Sequence, residues 1–270
     1  MKNIKEKFGP WAIVTGASSG IGKEFANQLA SDGINLVLLA RRENLLEELA
    51  SKLQEQYAVQ VKYLPLDLTS ETFLEEIIDF TNGLDIRLLV SNAGVAYMGA
   101  FNKSPMEQLS RNLNLNVNTQ MKLSHWFTSK LSTENKKGGL LLVSSTVAYQ
   151  GIPYSANYSG AKSYVLNLGE ALNVELRNKG INVTVLVPGP TDAPGLTDRT
   201  DADMVNNLPM KPQPVDQLVK EGLSALLKNK PSQIGGTLNR TMTKVMLRVM
   251  SRNQASAFWG KMVRKMVVAK

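Results

Sequence analysis

The chain has 270 residues, of which 43% are hydrophobic and 20% charged, a composition ordinary for a globular protein with a sizeable core. The absence of Cys and the presence of a single His, His125, exclude disulfides, thiol nucleophiles and Cys- or His-rich metal centres, so we expect no metal site. The net charge of +8 is uneven, because residues 1–210 carry 19 Lys and Arg against 21 Asp and Glu, whereas residues 211–270 carry 12 against two. A nearly neutral body is therefore followed by a basic C-terminal segment.

The start of the chain predicts neither a signal peptide nor a transmembrane helix. A short charged leader runs straight into a strand-like segment, and no stretch approaches the roughly 20 consecutive apolar residues that a membrane span needs. We therefore expect a cytoplasmic protein.

Short apolar runs alternate with longer amphipathic stretches over residues 11–187. The six predicted strands are WAIVTG, INLVLLA, VQVKYLPL, IRLLVSNAG, GGLLLVSS and INVTVLVPG. The predicted helices cover residues 21–31, 44–56, 72–81, 106–131 and 156–179. Continuous apolar strands with helices between them indicate an α/β fold, a doubly wound parallel sheet covered on both faces.

Prolines interrupt this pattern after residue 190, and a Pro-, Asp- and Asn-rich segment extends to about Asp216. In a doubly wound sheet, a long insertion after a late strand lies over the carboxyl ends of the strands, where ligands bind. Residues 190–216 are therefore predicted to form a substrate lid, with a plain surface loop as the alternative. We divide the chain into a catalytic domain, 1–236, and a basic, Met-rich helical extension, 237–270.

A glycine-rich turn, TGASSGIG, joins the first strand to the first predicted helix. Gly16 permits a tight turn, Gly20 lets backbone N–H groups approach a pyrophosphate, and Gly22 lets the helix pack close to the sheet. The helix N-terminus then faces the anion. The strand before the turn and the helix after it favour a dinucleotide site over a simple tight turn. The predicted contacts are Gly16, Ser18, Ser19, Gly20, Ile21 and Gly22.

The end of the second strand, Arg41-Arg42, bears on the choice of dinucleotide. An NAD site usually has an acidic side chain here that accepts a hydrogen bond from the ribose 2′-OH, whereas an Arg can pair with a 2′-phosphate. Arg41 occupies the position where that acidic side chain would stand. The sequence therefore favours NADP(H) over NAD(H), and the alternative is that both arginines are solvated.

Two further strand ends supply predicted cofactor contacts. Asp67 closes the third strand, where it could accept a hydrogen bond from the adenine amino group. The fourth strand closes with Asn92, Ala93 and Gly94, and Gly94 allows the cofactor to lie on the backbone.

Tyr158 and Lys162 stand four residues apart at the start of a predicted helix, so their side chains project from one face. Ser145 ends the preceding strand, and Asn116 lies in the long helix before that strand. With the motifs TGASSGIG, DLT, NAG, YxxxK and PG (188–189) in this order over about two thirds of the chain, the sequence resembles the short-chain dehydrogenase/reductase family, a Rossmann-fold group. It looks closest to the acyl- or steroid-reductase-like branch or to oxidoreductases with no assigned substrate.

The resemblance implies a role for each of four residues. Tyr158 would be the general acid/base, and Lys162 would lower the pKa of Tyr158 and hold the nicotinamide ribose. Ser145 would orient the substrate oxygen, and Asn116 would link Lys162 to a water relay. Physical chemistry supports these roles, because a free phenol with a pKa near 10 is a poor base at neutral pH, and a neighbouring ammonium and the positive nicotinamide favour the phenolate.

The implied activity is hydride transfer between NADP(H) and a carbonyl or secondary alcohol. The expected substrate is a ketone, a 3-oxoacyl group or another lipophilic carbonyl. Residues 95–101, 148–154 and 191–215 are expected to shape its binding pocket. The alternative is an inactive NADP(H)-binding regulator or scaffold, against which the four intact residues argue. The resemblance also implies a homodimer or homotetramer, formed through the fourth and fifth long helices.

The sequence departs from the family pattern at two places. The family often has a Thr that touches the nicotinamide amide where this chain has Ala193, and Thr191 is the substitute that we expect. Together with Pro188 and Gly189, Thr191 completes the predicted cofactor contacts. The family's usual last strand is also not obvious after residues 233–236.

The C-terminal extension reads as a basic amphipathic helix. Its cations on one stripe are Arg240, Lys244, Arg248 and Arg252, and its apolar residues on the opposite face are Met242, Val245, Met246 and Val249. Either this apolar face packs on the body or on a second subunit, or residues 238–268 lie on an anionic membrane surface. We expect no nucleic-acid binding, since no other segment resembles a module that reads or stacks bases.

Overall fold

A parallel sheet lies at the centre of the protein, whose computed structural model describes residues 4–193 and 212–267. The main strands are β1 (Trp11–Thr15), β2 (Asn35–Ala40), β3 (Val61–Pro65), β4 (Ile86–Ser91), β5 (Gly138–Val143) and β6 (Ile181–Val187), with the short strands β7 (Thr191–Asp192), β8 (Gln213–Pro214) and β9 (Ser232–Ile234). Within these residues, seven strands form one sheet in the order β3-β2-β1-β4-β5-β6-β9, and all neighbours are parallel. The six predicted strands and the doubly wound α/β fold are confirmed.

Helices cover both faces of this sheet. They are α1 (Ile4–Phe8), α2 (Gly20–Ser31), α3 (Glu43–Gln56), α4 (Phe73–Phe80), α5 (Met106–Leu113), α6 (Thr119–Thr133), α7 (Ala156–Glu175) and α8 (Val215–Leu227). The predicted helix over 106–131 is divided by a π-helical turn, Asn114–Asn118, between α5 and α6. Within the described part of the chain, 3-10 turns lie at Phe101–Lys103, Thr146–Tyr149 and Arg177–Lys179.

Alternate residues of the central strands enter two separate cores, because successive side chains of a strand point to opposite faces. In β1, Ala12 and Val14 pack with α1, α2, α3 and α8, whereas Trp11 and Ile13 pack with α4, α6 and α7. Burial on both faces fixes the register of β1 against β2 and β4, so the strand ends that carry the site residues are held in place.

The last strand of the sheet corrects the sequence analysis. No last strand was evident after residues 233–236, whereas β9 includes the first two of these residues and pairs with β6 through Val185–Ser232 and Val187–Ile234. At three residues, β9 is too short to show a period of two.

Most of the predicted lid, 190–216, lies outside the described residues. Its two ends form a small parallel pair, β7 with β8, and Gln213 of β8 donates a hydrogen bond to Glu221 Oε1 of α8 over 3.1 Å. The other oxygen of Glu221 accepts from Gln233 Nε2 and from the backbone N–H of Gly236, each over 3.2 Å. One carboxylate therefore joins β8, β9 and the residue that precedes the extension.

Two helices form the extension, α9 (Thr237–Val249) and α10 (Arg252–Val267). The apolar face of α9 was expected to pack on the body or on a second subunit, and the structure contradicts only the first alternative: the face that meets the body carries Asn239 and Thr243, both buried. The apolar stripe of α9 is between 44% and 71% exposed and consists of Leu238, Met242, Val245 and Val249, whereas Met246 of the predicted apolar face is half-buried. No helix within residues 4–193 and 212–267 has the length and hydropathy needed to cross a membrane.

Candidate active site

The glycine-rich turn lies at the carboxyl end of β1, where the strand order reverses between β1 and β4. Gly16 and Gly20 adopt positive φ angles of 67° and 58°, which favour glycine. A side chain on Gly22 would collide with the Gly16 carbonyl, so α2 can pack this close only with glycine there. Ser19, the residue before α2, makes no side-chain cap to it, and the N-terminus of the helix is therefore open to an anion.

A buried threonine that the sequence analysis missed closes the crevice between β1 and β4. Thr15 Oγ1 accepts hydrogen bonds from the backbone N–H groups of Asn92 and Ala93, each over 2.9 Å. Asn92 Nδ2 donates to the Thr15 carbonyl over 2.9 Å. The backbone N–H and the side-chain amide of Asn92 are thus both bonded to Thr15, so Asn92 forms part of the wall of the crevice. A polar residue at the end of an otherwise apolar buried strand was the signal available in the sequence.

The structure places Arg42, not Arg41, against the phosphate loop. Its guanidinium donates to Ser18 Oγ over 3.0 Å and to Ser19 Oγ over 2.8 Å. Arg41 is exposed and acts on Asp67 through its charge. Both cations lie at the carboxyl end of β2, but it is Arg42 that binds Ser18 and Ser19, two residues predicted to contact the pyrophosphate.

Asp67 lies at the same edge of the sheet and is held by its neighbours. Its Oδ1 accepts from the backbone N–H and the hydroxyl of Thr69, over 3.0 and 2.7 Å, and its Oδ2 lies 3.4 Å from Arg111. Burial raises the pKa of Asp67, but the hydrogen bonds from Thr69 and the charges of Arg111 and Arg41 outweigh it, so the pKa lies below its ordinary value. The carboxylate is ionised at neutral pH and can accept a hydrogen bond.

Lys162 is buried on α7, and its Nζ donates to the Val143 carbonyl at the end of β5 over 3.0 Å. The ammonium lies 5.7 Å from the centre of the Tyr158 ring, one turn earlier on the same helix. Burial lowers the pKa of Lys162 to about 8, so most molecules carry the charge at pH 7. The predicted pairing of Tyr158 and Lys162 on one helix face agrees with this geometry.

Tyr158 and Ser145 meet at the same place. Burial raises the pKa of Tyr158 to about 12, and a hydrogen bond with Ser145 acts in the opposite direction. The expected lowering by Lys162 is not among the causes of this shift in the protein alone, where burial dominates. A phenol with this pKa is fully protonated at pH 7 and is ready to donate a proton.

Asn116 belongs to the π-helical turn, a device common at functional sites. Its Nδ2 donates to the Val95 and Asn112 carbonyls over 2.9 and 3.0 Å. Its Oδ1 is buried and has no hydrogen-bond partner among the described residues. A side chain on Gly94 would lie 2.7 Å from that oxygen and 3.1 Å from Lys162 Nζ, so only glycine leaves this space open.

The PG segment follows β6 at the same edge of the sheet. The Pro188 carbonyl accepts from the backbone N–H of Thr146, over 2.8 Å, and Thr191 Oγ1 donates to the Gly189 carbonyl over 3.0 Å. The hydroxyl of Thr191 thus has a partner within its own turn. Sequence reasoning missed Asn239, whose side chain lies against Gly189, because nothing in the amphipathic pattern of α9 indicates that a polar residue faces the body.

A family model described as short chain dehydrogenase matches residues 10–204. A 7beta-hydroxysteroid dehydrogenase of Clostridium sardiniense is 31% identical over 266 residues, which cover 96% of this chain and 98% of the relative. A solved structure of a 7beta-hydroxysteroid dehydrogenase matches with a TM-score of 0.85 and 26% identity, over 96% of this chain and 99% of the other. A short-chain dehydrogenase from Sphingobium yanoikuyae in complex with NADPH matches with a TM-score of 0.79 and 29% identity, over 90% and 97%.

These matches also bear on the extension. The two steroid enzymes leave unmatched only 4% of this chain, which is fewer residues than the segment 237–270 contains. At least part of the extension is therefore shared with them. The match to the family model covers more than half of the chain, and the relatives agree with it over almost the whole length. The chain belongs to the short-chain dehydrogenase family.

Proposed function

We propose that the protein is an NADP(H)-dependent oxidoreductase that reduces a lipophilic ketone to a secondary alcohol. The observation that carries the proposal is the meeting of Ser145, Tyr158, Lys162 and Asn116 beside an open helix N-terminus, where the strand order reverses. The intact set of four gives no support to an inactive regulator or scaffold. NADP(H) supplies the hydride when it is bound.

The residues of the site handle the proton. Ser145 would orient the carbonyl oxygen of the substrate, and Tyr158 would donate its proton to that oxygen. The ammonium of Lys162 stabilises the phenolate that results. The partnerless oxygen of Asn116 beside Lys162 suits a water that returns a proton to the site.

The preference for NADP(H) rests on the two arginines after β2. Arg42 lies on the phosphate loop, and no acidic side chain stands at the position that would accept from a ribose 2′-OH. The similar enzyme from Sphingobium yanoikuyae in complex with NADPH supports the same choice. Asp67 remains the proposed partner of the adenine amino group.

The substrate class is a large lipophilic carbonyl, of which a ring ketone and a 3-oxoacyl thioester are the two forms to test. The likeness to steroid dehydrogenases over almost the whole chain favours a ring ketone. The same proposal includes a domain boundary at residue 236 and a substrate lid over 190–216. It also includes contacts of Pro188, Gly189 and Thr191 with the nicotinamide half of the cofactor.

A spectrophotometric assay tests the function. Purified protein and NADPH are mixed with ring ketones and 3-oxoacyl thioesters, and the absorbance of NADPH is followed. We expect consumption of NADPH with at least one compound, and none with the same compound in the Tyr158→Phe variant. Tight NADPH binding in calorimetry without consumption on any compound would instead favour the regulator.

Self-association is a second part of the proposal. The family resemblance implies contact through the long helices α6 and α7, and these carry the exposed apolar residues Met121, Tyr164 and Val174. We propose a homodimer or homotetramer through these helices. Light scattering after size exclusion tests it: a monomeric mass at micromolar concentration would contradict the proposal.

The exposed stripe of α9 supports peripheral contact of a cytoplasmic protein with anionic lipid. Residues 237–270 carry eight Lys and Arg and no Asp or Glu. Contact between the stripes of two copies would therefore bring like charges together, whereas an anionic surface would attract the segment. We expect cosedimentation with vesicles that contain 30% phosphatidylserine at low salt, and loss of binding on pure phosphatidylcholine. Absence of binding at low salt, or a stripe buried between two copies, would end this proposal.

A further inference from the structure

The second helix of the extension packs against the loop that leads to the catalytic tyrosine. A side chain on Gly260 of α10 would lie 2.9 Å from Pro153 Cγ, and one on Gly151 would lie 3.9 Å from Ser256 Oγ. Ser256 and Gly260 are four residues apart on a helix, so they share one face. That face of α10 therefore lies directly on residues 151–153.

The same face of α10 is the buried one. Ala255 and Val263 are buried, whereas Phe258 is more than half exposed. The indole nitrogen of Trp259 is also buried, and it has no hydrogen-bond partner within the described part of the chain. α10 thus packs on the body through a narrow row of small and apolar side chains.

The loop beneath α10 runs between two residues of the active site. Ser145 stands before it and Tyr158 after it, and Tyr154 within it has a φ of 63°, which is strained for a residue other than glycine. The Tyr154 carbonyl accepts from the backbone N–H of Gly99 over 2.7 Å. This hydrogen bond joins the two segments, 95–101 and 148–154, that are expected to shape the substrate pocket.

Gly260 is an unusual choice for the middle of a helix, where Ala is preferred. Its position explains it, because even one methyl group at residue 260 would press on the Pro153 ring. The ring of Pro153 therefore rests against the backbone of α10, and the absence of a side chain on Gly260 sets how closely the loop approaches this helix.

We propose that α10 sets the depth of the substrate pocket and that Gly260 is a positioning residue for the loop 150–155. By accepting Pro153 against its backbone, Gly260 leaves room on the inner side of the loop for a ketone of more than one ring. The inference rests on the proposed function and deepens it, since it names the element that selects substrate size.

The test compares two ketones that differ only in size, cyclohexanone and 1-decalone, with NADPH. In Gly260→Ala we expect the ratio of kcat/KM for decalone over cyclohexanone to fall about tenfold, through a rise in KM for decalone, as for one methylene of lost space. The melting temperature should change little, because the helix preference of Ala opposes the cost of the contact with Pro153. Lys261→Ala, an exposed neighbour, is the matched control and should leave the ratio unchanged.

A double variant separates positioning from general damage. Pro153→Ala removes the ring that the added methyl group meets, so Gly260→Ala with Pro153→Ala should recover most of the lost ratio. An unchanged ratio in Gly260→Ala, or an equal fall for both ketones without recovery in the double variant, would overturn the inference. If the wild type consumes no NADPH with any ketone or thioester, the proposed function fails instead, and the two failures are distinct.

Discussion

The buried ammonium of Lys162 should leave a measurable mark on the pH dependence of folding stability. Burial lowers the pKa of Lys162 from 10.5 to about 8, so between these two values the unfolded chain binds more protons at this position than the folded one. The free energy of unfolding must then rise with pH in this window, and below pH 8 the full cost of burying the charge is present. Integrated from pH 8 to pH 10, this linkage amounts to about 2 kcal/mol.

The measurement compares the wild type with Lys162→Met, which keeps a side chain of similar length without the charge. Urea unfolding, followed by tryptophan fluorescence at pH 8, 9 and 10, gives the free energy of unfolding of each. Other titrating groups are common to both proteins and cancel in the difference. Tyr158 has a pKa raised to about 12, so it costs stability as the pH passes its unfolded value of 10, and this cost is also common to both proteins. From pH 8 to pH 10, we expect the free energy of unfolding of the wild type to rise by about 2 kcal/mol relative to that of the variant. A constant difference would refute the inferred burial of a charged Lys162.

Three further outcomes are expected from the geometry of the site. Tyr158→Phe should lower turnover by about 10²- to 10⁴-fold with NADPH affinity retained, which steady-state rates and calorimetry check together; an active variant would contradict the role of Tyr158 as acid. Arg42→Asp should weaken NADPH binding at least about tenfold and NADH binding far less, since a cation on the phosphate loop is replaced by an anion, with Arg41→Asp as the matched comparison in calorimetry; a larger loss in Arg41→Asp would return the main role to that residue. Gly16→Val should lower the urea midpoint, because a β-branched residue is strained at a φ of 67°; an unchanged midpoint would contradict the strained turn.

The fold was accessible from the sequence because its strands are buried on both faces. Runs such as INLVLLA are apolar without alternation, which is the mark of a covered parallel sheet, and the helices between them are long enough to show a 3.6-residue period. The three residues of β9 carry no such period. The π-helical turn at 114–118 also escaped the pattern, because a single widened turn is too short to show a period of its own.

The site was predictable in composition but not in every contact. The sequence placed Arg41 and Arg42 at one strand end, yet which of them reaches the loop depends on the direction in which the chain leaves β2. The apolar pattern of α9 identified an amphipathic helix, but it could not show that Asn239 rather than the apolar stripe faces the body. The roles of the individual residues stay predictions until these variants are measured.

The shared carboxylate of Glu221 limits how this protein can be recombined with its relatives. Its two oxygens serve Gln213, Gln233 and Gly236, so the end of the predicted lid and the start of the extension depend on one acceptor. A chimaera whose junction falls between residues 213 and 236 would take Glu221 and some of its three donors from different parents. We expect grafts to succeed when the segment 213–236 comes from one parent as a block.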